Sequence, residues 1–559
     1  MSPVPPESPL APDDDWWQTG VVYQIYPRSF ADTDGNGIGD LAGIIEHLDH
    51  LAGRSESLGV DAIWLSPFYP SPDYDFGYDV ADYLGVDPKY GSLADFERLV
   101  AGCHGRGMKV VIDLVLNHSS SHHAWFQASR SSRTGPYADW YIWRDSPGRS
   151  ILGAWRPPNN WRSFFGGSAW TWDDARQQFY LHTFLPQQPD LNWRNPAVRE
   201  ALLGVVRTWL DRGVDGFRLD VFNTYFKDAA LRSNPWRIGG RGAWSWQRHV
   251  YDRDQPELRD LLAELRAIVD ERPGRMTVGE LFDGSLIEAA PLIAPHHLVF
   301  DWSLISLPWS AAAFKSAVAA RDAAFGPGPW PANVLSNHDQ PRHASRFAPA
   351  AIDPAAVAEG DARAKVAATL LLTLRGTAFL YYGEEIALRN LSIANKDAVD
   401  PPARRANFLF PWWNRDQARG PMAWSGGPGS GFSTGPPWLP LSADAARRNV
   451  GEQTRDPDSV LNSYRQLLRL RRSTPALQEG AQELLAQDDA DVLAYLRTTG
   501  DTAAFVALNF ASRPATVSLP PAPSGRVWRV AFSTTGRSPA EVLSESAILA
   551  PLEALVAPA

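Results

Sequence analysis

The middle of the chain alternates short apolar runs with longer stretches of helical periodicity. Short continuous apolar runs indicate buried strands, and they occur at 21–27, 60–67, 108–118, 214–221, 276–281, 333–339 and 377–385. Apolar residues recur at helical spacing at 93–108, at 459–474 and at 195–213, where an Asn and a Gly supply start and stop signals. Strands separated by helices predict parallel pairing with right-handed crossovers.

Polar residues at the strand ends distinguish between two kinds of parallel sheet. Acidic, His and Arg side chains gather at the C-terminal ends of the predicted strands, which is where barrel enzymes carry their chemistry. An open doubly wound sheet usually has a Gly-rich phosphate loop after a strand, and the sequence contains none. The pattern therefore predicts an α/β fold built on a closed (β/α)₈ TIM barrel.

Two stretches depart from the barrel pattern. Residues 119–190 follow the third predicted strand, are rich in Trp, Pro, Gly and Asn, and are far longer than an ordinary βα loop. They predict an inserted loop-rich domain B. Residues 479–559 show the alternation of antiparallel strands and predict a C-terminal β-domain. The barrel then comprises 16–118 and 191–478, and the Pro- and Asp-rich residues 1–15 form a flexible tail.

Composition and charge narrow the range of partners. The chain is 44% apolar and 21% charged, which is typical of a globular protein with an ample core. A net charge of −10 argues against nucleic acid as a partner. No run of apolar residues is long enough to span a membrane, and the N-terminus lacks the features of a secretory signal. With Cys103 as the single cysteine, we expect a cytoplasmic protein without disulfides or membrane contact.

Four motifs end predicted strands with charged or imidazole side chains. They are DLVLNH (113–118), GFRLD (216–220), VGEL (278–281) and SNHDQPR (336–342). A single carboxylate at such a position is most often a solvated side chain, but four consecutive examples argue against that interpretation. Because strand ends converge on one mouth of a barrel, we expect a shared pocket formed by Asp113, His118, Arg218, Asp220, Glu280, His338 and Asp339.

These motifs resemble those of a known enzyme family. Together with YQIYPRSF (23–30), DFGYDVADY (75–83), QPDLNW (188–193) and ARGPMAW (418–424), they are similar to the α-glucosidases of glycoside hydrolase family 13, the α-amylase family. The similarity is greatest to the group that includes oligo-1,6-glucosidases, and it extends from about Trp16 to the C-terminus. It implies a (β/α)₈ barrel, a B domain inserted after the third strand, and a C-terminal antiparallel β-sandwich.

The resemblance also implies an activity. It is that of an exo-acting, retaining α-glucosidase that removes terminal glucose from short oligosaccharides, with Asp220 as nucleophile and Glu280 as general acid/base. Such enzymes hold these two carboxyl groups about 5–5.5 Å apart. The third carboxylate, Asp339, would grip sugar hydroxyls, and Arg218 would stabilise the charge of the nucleophile. Water or a second sugar would resolve the glucosyl-Asp220 intermediate, so that transglycosylation is also expected.

Further substrate-binding residues follow from the same resemblance. His118 and His338 correspond to histidines that bind hydroxyls of the cleaved glucose, Tyr78 to a residue that stacks on the sugar face, and Phe165 to a further contact. A lone His is otherwise more often a core residue.

Two more motifs concern the end of the pocket. Asp75 of DFGYD (75–79) and Arg419, the second Arg of RDQAR (415–419), are expected to pair at the pocket floor and to exclude longer chains. The alternative for Arg419 is a surface salt bridge.

Residues 32–40 place oxygen donors at alternate positions between glycines. The spacing is that of the first half of a Ca²⁺ loop, although position 12 is Gly43, where an EF-hand requires Glu. The alternative is an ordinary Asx- and Gly-rich loop. The family resemblance implies a structural Ca²⁺ or Mg²⁺ and no organic cofactor, with the ligands Asp32, Asp34, Asn36, the Ile38 carbonyl and Asp40.

The acceptor side is the least specified part of the predicted site. Val221 follows the nucleophile, and in relatives an aliphatic residue there tends to accompany tolerance of 1,6-linkages. The stretch 222–250 is expected to wall the acceptor site. Trp residues at 155–172 and 236–246 are expected to flank the pocket mouth, because aromatic faces pack on sugars.

Two other functions remain open from the sequence. One is a glucosyl isomerase of the trehalose or sucrose isomerase type on the same scaffold. The more remote alternative is a non-catalytic sugar-binding or transporter-subunit relative, although the chain keeps all three acids. The expected partner is a small oligosaccharide or glucoside, and the expected assembly is a monomer or a homodimer.

Overall fold

The computed structural model describes residues 15–239, 244–284, 295–326, 330–349, 353–405, 413–523 and 525–559. Apart from Asp15, the predicted tail lies outside the described residues. In chain order the strands are β1 (Val21–Ile25), β2 (Ala62–Leu65), β3 (Lys109–Leu114), β4 (Trp143–Arg144), β5 (Trp170–Asp173), β6 (Gln178–Leu181), β7 (Gly216–Leu219), β8 (Met276–Gly279), β9 (Leu298–Asp301), β10 (Trp330–Val334), β11 (Thr377–Tyr381), β12 (Ala481–Leu485), β13 (Val492–Thr499), β14 (Thr502–Asn509), β15 (Ala515–Ser518), β16 (Trp528–Arg529), β17 (Phe532–Ser533), β18 (Val542–Leu543), β19 (Ser546–Leu549) and β20 (Ala554–Pro558).

The helices begin where the sequence supplies caps. The Asn195 side chain accepts the Ala197 N–H ahead of a first-turn proline, and Ser92 forms a capping box with Asp95. The α-helices are α1 (Trp16–Thr19), α2 (Leu41–Glu46), α3 (Leu48–Leu51), α4 (Leu93–His104), α5 (Ala124–Ser131), α6 (Pro196–Asp211), α7 (Leu258–Asp270), α8 (Ala311–Phe325), α9 (His343–Arg346), α10 (Pro354–Thr373), α11 (Pro401–Arg405), α12 (Val450–Arg455), α13 (Val460–Ser473) and α14 (Pro475–Gln478). Within the described ranges, no helix combines the length and apolar character needed to cross a bilayer.

Eight parallel strands close into a barrel, which confirms the predicted fold class. Their order around the barrel is β1-β11-β10-β9-β8-β7-β3-β2. Alternate residues of these strands point inward and form one apolar cluster, which includes Trp64, Val278, Phe300 and Phe379. The interior is thus packed with side chains, and chemistry is confined to the open end of the barrel.

The structure corrects the sequence prediction of the strands in two respects. Strand β9 (LVFD) was not among the predicted strands; its apolar run is only three residues long and lies between His297 and Asp301. Several predicted strands also end too late: β3 stops at Leu114 and β10 at Val334. His118, His338 and Asp339 therefore lie in loops beyond the strand ends, where the backbone can turn their side chains toward a common centre.

Two smaller β-structures accompany the barrel. Between β3 and α6, strands β4, β6 and β5 form an antiparallel sheet in that order. Beyond the barrel, an antiparallel sheet of order β12-β13-β14-β20-β17 and the pairs β15-β19 and β16-β18 enclose an apolar cluster around Phe505 and Trp528. This confirms the predicted antiparallel C-terminal domain. The Arg497 side chain ties it to the barrel by donating to the Thr373 carbonyl at 2.6 Å.

Candidate active site

One buried guanidinium joins three carboxylates at the open end of the barrel. Arg218 is 1% exposed and lies in β7, directly beside Asp113 of β3. Its Nη1 donates to Asp113 Oδ1 at 2.7 Å and to Asp220 Oδ1 at 2.5 Å, and its Nη2 donates to Glu280 Oε2. The ring of Trp64 lies beneath, 5.5 Å from the guanidinium carbon. Residues from three strand ends are therefore held around one charge.

A strained turn directs the backbone just after Asp220. Val221 has φ 39° and ψ 41°, the left-handed region that β-branched residues rarely adopt. Its N–H donates to Glu280 Oε2 at 3.2 Å, and the Glu280 N–H donates back to the Leu219 carbonyl at 2.9 Å. Strain of this kind persists where surrounding contacts enforce it. Here it locks the relative positions of Asp220 and Glu280.

Burial and crowding raise the pKa values of two of these carboxyl groups. Burial is the largest effect on Asp220 and raises its pKa well above the usual range, with the negative charges of Glu280 and Asp113 acting in the same direction. Burial also raises the pKa of Asp113. Arg218 opposes both shifts. Arg218 thus favours the ionised forms of Asp113 and Asp220, which burial disfavours.

Tyr78 and His338 border the cluster on one side. The Tyr78 hydroxyl donates to Asp113 Oδ2 at 3.0 Å and lies 2.7 Å from His338 Nε2. The two rings stack with 5.4 Å between their centroids. His338 Nε2 also lies 3.1 Å from Asp339 Oδ2. These contacts connect the carboxylate cluster to the third predicted acid.

Arg415, rather than Arg419, pairs with Asp75 at the far end of the cavity, so the predicted pair was wrong. Arg415 Nη2 donates to Asp75 Oδ1 at 2.7 Å. Asp400 holds the same guanidinium from behind, at 2.7 and 3.1 Å, which turns it toward Asp75. Arg419 instead donates to the His338 carbonyl at 2.9 Å and to Asp339 Oδ1 at 2.8 Å. Arg419 thus supports Asp339 from below and does not line the cavity.

The surroundings of Asp75 and Asp339 set their pKa values in opposite directions. For Asp75, burial raises the pKa despite the nearby charges of Arg415 and Arg419. Burial also acts to raise the pKa of Asp339, but His338, Arg415 and Arg419 together hold it well below its usual range. Asp339 is therefore ionised throughout the neutral pH range.

The loop that carries Asp75 is organised by Asp79. This buried carboxylate accepts the Asp75 N–H at 2.9 Å, the Tyr74 N–H at 3.1 Å and the Ser71 hydroxyl at 2.8 Å. Burial raises its pKa to about 7, against the effect of these hydrogen bonds. The second Asp of the DFGYD motif therefore has a positioning role that the sequence did not reveal.

Gln188 joins Asp75 to His118. Its Nε2 donates to Asp75 Oδ2 at 3.1 Å and lies 3.2 Å from His118 Nε2. His118 Nε2 also lies 3.0 Å from the Tyr78 carbonyl, and burial lowers the pKa of His118 to about 4, so the ring is neutral. Residues Gln188, Asp400 and Arg415 were not among the predicted site residues, although QPDLNW and RDQAR contain two of them.

A cavity of about 1130 Å³ is lined by part of this network, and Asp113, which was expected in the shared pocket, lies behind its wall. Of the predicted site residues, Asp75, Tyr78, His118, Phe165, Asp220, Val221, Glu280 and Asp339 line it, whereas Arg218, His338 and Arg419 lie behind its wall. The Arg415 guanidinium lies 5.2 Å from the Phe165 ring centroid. A cavity lined by carboxylates, His and aromatic rings suits a neutral ligand rich in hydroxyl groups.

The two Trp clusters do not line the cavity, although Trp244 packs against the cavity-lining residues Val221 and Phe282. None of Trp155, Trp161, Trp170, Trp172, Trp236, Trp244 and Trp246, all within the described residues, lines the cavity. Trp161 and Trp170 are buried in the small core beside the β4-β6-β5 sheet. Trp244 stacks on His249 with 3.6 Å between centroids. The four Trp side chains of the inserted segment and Trp244 thus pack into small cores, whereas Trp236 and Trp246 are exposed to solvent.

The 32–40 loop brings three carboxylates together. Ligand oxygens of Asp32, Asp34 and Asp40 lie within 4.8 Å of one another. Burial acts to raise the pKa of Asp32, but the Ser433 hydroxyl and the N–H groups of Gly37 and Gly35 lower it overall. Asn36 bonds within the loop, accepting the Ile38 N–H at 2.8 Å and donating to Asp34 at 2.9 Å. This donor set suits a hard divalent cation.

We expect Arg218→Met to destabilise the protein by about 3–5 kcal/mol at neutral pH, because it leaves buried carboxylates without their counter-charge. The sign of the pH dependence follows from the effect of Arg218 on Asp113 and Asp220: it lowers both pKa values, so its removal raises them further. Groups with raised folded-state pKa values favour the fold at low pH and disfavour it as pH rises. The deficit relative to wild type, measured from thermal unfolding midpoints, should therefore widen from about pH 5 to about pH 8.

Arg218→Lys provides the matched control for this experiment, since it keeps a positive charge near the carboxylates. Its deficit should be smaller and should depend less on pH. A deficit in Arg218→Met that is the same at both pH values would contradict the assigned charge balance.

Two known protein families match consecutive parts of this chain. Residues 24–480 match the family described as the α-amylase catalytic domain, and residues 482–554 match the C-terminal domain of maltogenic amylase. A probable α-glucosidase of Rhizobium meliloti (strain 1021) is 44% identical over 526 residues, which cover 91% of this chain and 92% of that protein.

Solved structures give the same result for the fold. The crystal structure of the α-glucosyl transfer enzyme XgtA is 41% identical, with a TM-score of 0.87 over 97% of this chain and 99% of the other. The trehalulose synthase MutB from Pseudomonas mesoacidophila MX-45 is 34% identical, with a TM-score of 0.85 over 97% of this chain and 99% of the other. Proteins similar to this chain along nearly its whole length thus include a probable α-glucosidase, an α-glucosyl transfer enzyme and a trehalulose synthase.

Proposed function

We propose a specific activity for this chain, which belongs to the α-amylase family (glycoside hydrolase family 13) and is an enzyme acting on glycosides. The proposed activity is that of an exo-acting, retaining α-glucosidase of short oligosaccharides. The observation that carries the proposal is the Arg218 bridge between Asp220 and Glu280. It keeps two carboxyl groups side by side at the cavity wall, which is what double displacement at an anomeric carbon requires.

The two steps divide between these carboxyl groups. Asp220 attacks the anomeric carbon while Glu280 transfers its proton to the departing glycosidic oxygen, so that the C–O bond to the aglycone breaks as the bond to Asp220 forms. Glu280, now a carboxylate, then removes a proton from water, which attacks the anomeric carbon and releases Asp220. A sugar hydroxyl in place of water gives transfer.

Arg218 reconciles the burial of Asp220 with its use as a nucleophile. Burial raises the pKa of Asp220, yet attack requires the ionised form. The 2.5 Å contact from Arg218 supplies the opposing charge. As negative charge leaves Asp220 during attack, the same guanidinium can strengthen its contact with the Glu280 carboxylate that forms.

The ion network at the opposite end of the cavity supports exo action. Asp75, Arg415 and Asp339 are joined by contacts of 2.7 and 3.3 Å. Paired charges of this kind present oxygen and nitrogen atoms to the hydroxyls of one terminal sugar and would exclude a longer chain. Tyr78 and His118 line the same end.

We expect Asp220→Asn to lower kcat on 4-nitrophenyl α-glucoside by roughly 10³-fold or more, because the amide cannot form the covalent intermediate. The thermal midpoint should change little or rise, since a neutral side chain replaces a buried charge. Asp260→Asn, on the exposed surface of α7, is the matched control and should retain wild-type turnover. Near-wild-type turnover by Asp220→Asn would refute the assignment.

The preferred glycosidic linkage, and the choice between hydrolysis and isomerisation, depend on the acceptor side of the cavity, which Val221 lines. An aliphatic wall at this position leaves room for a 1,6-linked partner, in keeping with the similarity to oligo-1,6-glucosidases. The alternative function is glucosyl isomerisation, which is favoured by the likeness to a trehalulose synthase.

Product analysis over time separates these outcomes. On maltose, isomaltose, sucrose and trehalose, we expect free glucose as the main early product, released as the α-anomer in NMR spectra, with isomaltose cleaved readily. Isomerised disaccharide with little free glucose would support the alternative and contradict hydrolysis as the main reaction.

We also propose that the 32–40 loop holds a structural Ca²⁺ or Mg²⁺. Asp32, Asp34 and Asp40 would supply carboxylate oxygens, with Asn36 and the Ile38 carbonyl completing the set. A bound cation would neutralise three carboxylates that lie within 4.8 Å of one another, and its role would be to stabilise the loop that leads into α2.

Removal of the ion should lower the thermal unfolding midpoint of the wild-type protein. EDTA should lower it and excess CaCl₂ should restore it, because a ligand that binds only the folded state stabilises by about 2.7 kcal/mol at a hundredfold excess over its Kd. Asp34→Asn should remove most of this response, whereas the Asp260→Asn control should keep it. A midpoint insensitive to EDTA and to added cation would contradict the proposal.

A further inference from the structure

Two arginines in the cavity wall have no paired carboxylate within the described residues, unlike the arginines at the catalytic centre. Arg237 and Arg248 line the catalytic cavity and are exposed to solvent. Arg218 and Arg415 are each held by carboxylates, and Arg253 lies beside Asp254 and Asp283. Over the described ranges, neither Arg237 nor Arg248 has an ion pair or a side-chain hydrogen bond. Their charges are available to a ligand.

Backbone pairing between residues 235–237 and 246–248 forms a short two-stranded ribbon, and it brings the two arginines to the same face of this ribbon. Trp236 and Gln247 form an antiparallel bridge. The Arg237 N–H donates to the Trp246 carbonyl at 2.7 Å, and the Arg248 N–H donates to the Pro235 carbonyl at 2.8 Å. In this register Arg237 and Arg248 are diagonal neighbours across the pair, and such side chains lie within reach of a common ligand.

The ribbon is fixed to the segment that follows Glu280. Trp244 Nε1 donates to Asp283 Oδ2 at 2.7 Å, and Arg253 Nη1 donates to the Phe282 carbonyl at 2.7 Å. Asn223 Nδ2 donates to the same carbonyl at 3.0 Å. Since the proposed general acid must lie beside the leaving oxygen, a ribbon anchored next to Glu280 borders the aglycone side of the cavity.

The unpaired positive charges on this wall suit an anionic ligand better than a neutral sugar. Hydroxyl groups do not require unpaired guanidinium groups, whereas carboxylates and phosphates bind them through charge-assisted hydrogen bonds. Val250 and Phe282 line the same cavity and add apolar surface beside the two charges. The combination matches an aglycone with an apolar body and an anionic group.

We propose that Arg237 and Arg248 form an anion-recognising part of the aglycone and acceptor site, so that glucosides whose aglycone carries a negative charge are preferred. This inference rests on the proposed α-glucosidase function. The substrate class is an α-glucoside of an acidic, largely apolar alcohol or phenol, and the same class of hydroxyl compound is the preferred acceptor in transfer.

The test compares 3- and 4-carboxyphenyl α-glucosides with their neutral methyl esters. The readout is the ratio of kcat/KM for each acid to that for its ester, in wild type, in Arg237→Gln/Arg248→Gln and in Arg237→Lys/Arg248→Lys. Because the ester has the better leaving group, only changes of the ratio between enzyme forms are interpreted. Arg207→Gln, an exposed arginine on α6 outside the cavity, is the matched control.

We expect the glutamine double variant to lower the ratio by roughly 10-fold for at least one ring position. The lysine variant should retain most of the ratio, the Arg207→Gln ratio should equal that of wild type, and added salt should lower the wild-type ratio because exposed charges are screened. A ratio unchanged in the glutamine double variant overturns the anion site. If wild type hydrolyses 4-nitrophenyl α-glucoside but neither the acids nor the esters, the anion site is overturned and the α-glucosidase function stands; if it hydrolyses none of these glucosides, the proposed α-glucosidase function fails as well.

Discussion

The structure of the site depends on one buried arginine. Arg218 lies at the end of β7 with Asp113, Asp220 and Glu280 around its guanidinium, and nearly every other feature of the barrel mouth follows from this cluster. Buried carboxylates without a counter-charge would take up protons or disrupt the fold. With the Arg218 charge present, Asp220 stays available for attack and Glu280 for proton transfer in the proposed mechanism. The left-handed turn at Val221 is tolerated because these contacts enforce it.

The cavity has two ends of different character. One is closed by paired charges, with Arg415 held between Asp75, Asp339 and Asp400. The other is bordered by a ribbon anchored beside Glu280, on which Arg237 and Arg248 remain unpaired within the described part of the chain. In the proposed function the first end recognises the terminal glucose and the second selects what is attached to it. Specificity for the aglycone can thus vary without disturbing the Arg218 cluster.

The barrel and the acids could be predicted from sequence, because apolar runs and strand-end motifs carry a strong local signal. Strand β9, whose apolar run of three residues lies between His297 and Asp301, gave no such signal. The partner of Asp75 was misassigned because Arg415 and Arg419 are four residues apart in one motif. Contacts outside that motif, from Arg415 to Asp400 and from Arg419 to the His338 carbonyl, determine which guanidinium faces Asp75. The Trp clusters were expected at the pocket mouth, but composition does not distinguish aromatic side chains that face a ligand from those that face a core or solvent.

The central claim is that Asp220 forms the covalent intermediate while Arg218 holds it beside Glu280. The most direct test is to incubate the wild-type protein with 5-fluoro-α-glucosyl fluoride, which slows release of the intermediate, and to map the labelled peptide by mass spectrometry. The account predicts a 5-fluoroglucosyl adduct on Asp220. Inactivation with the adduct on another carboxylate, or turnover with no adduct on Asp220 at any time, would contradict it.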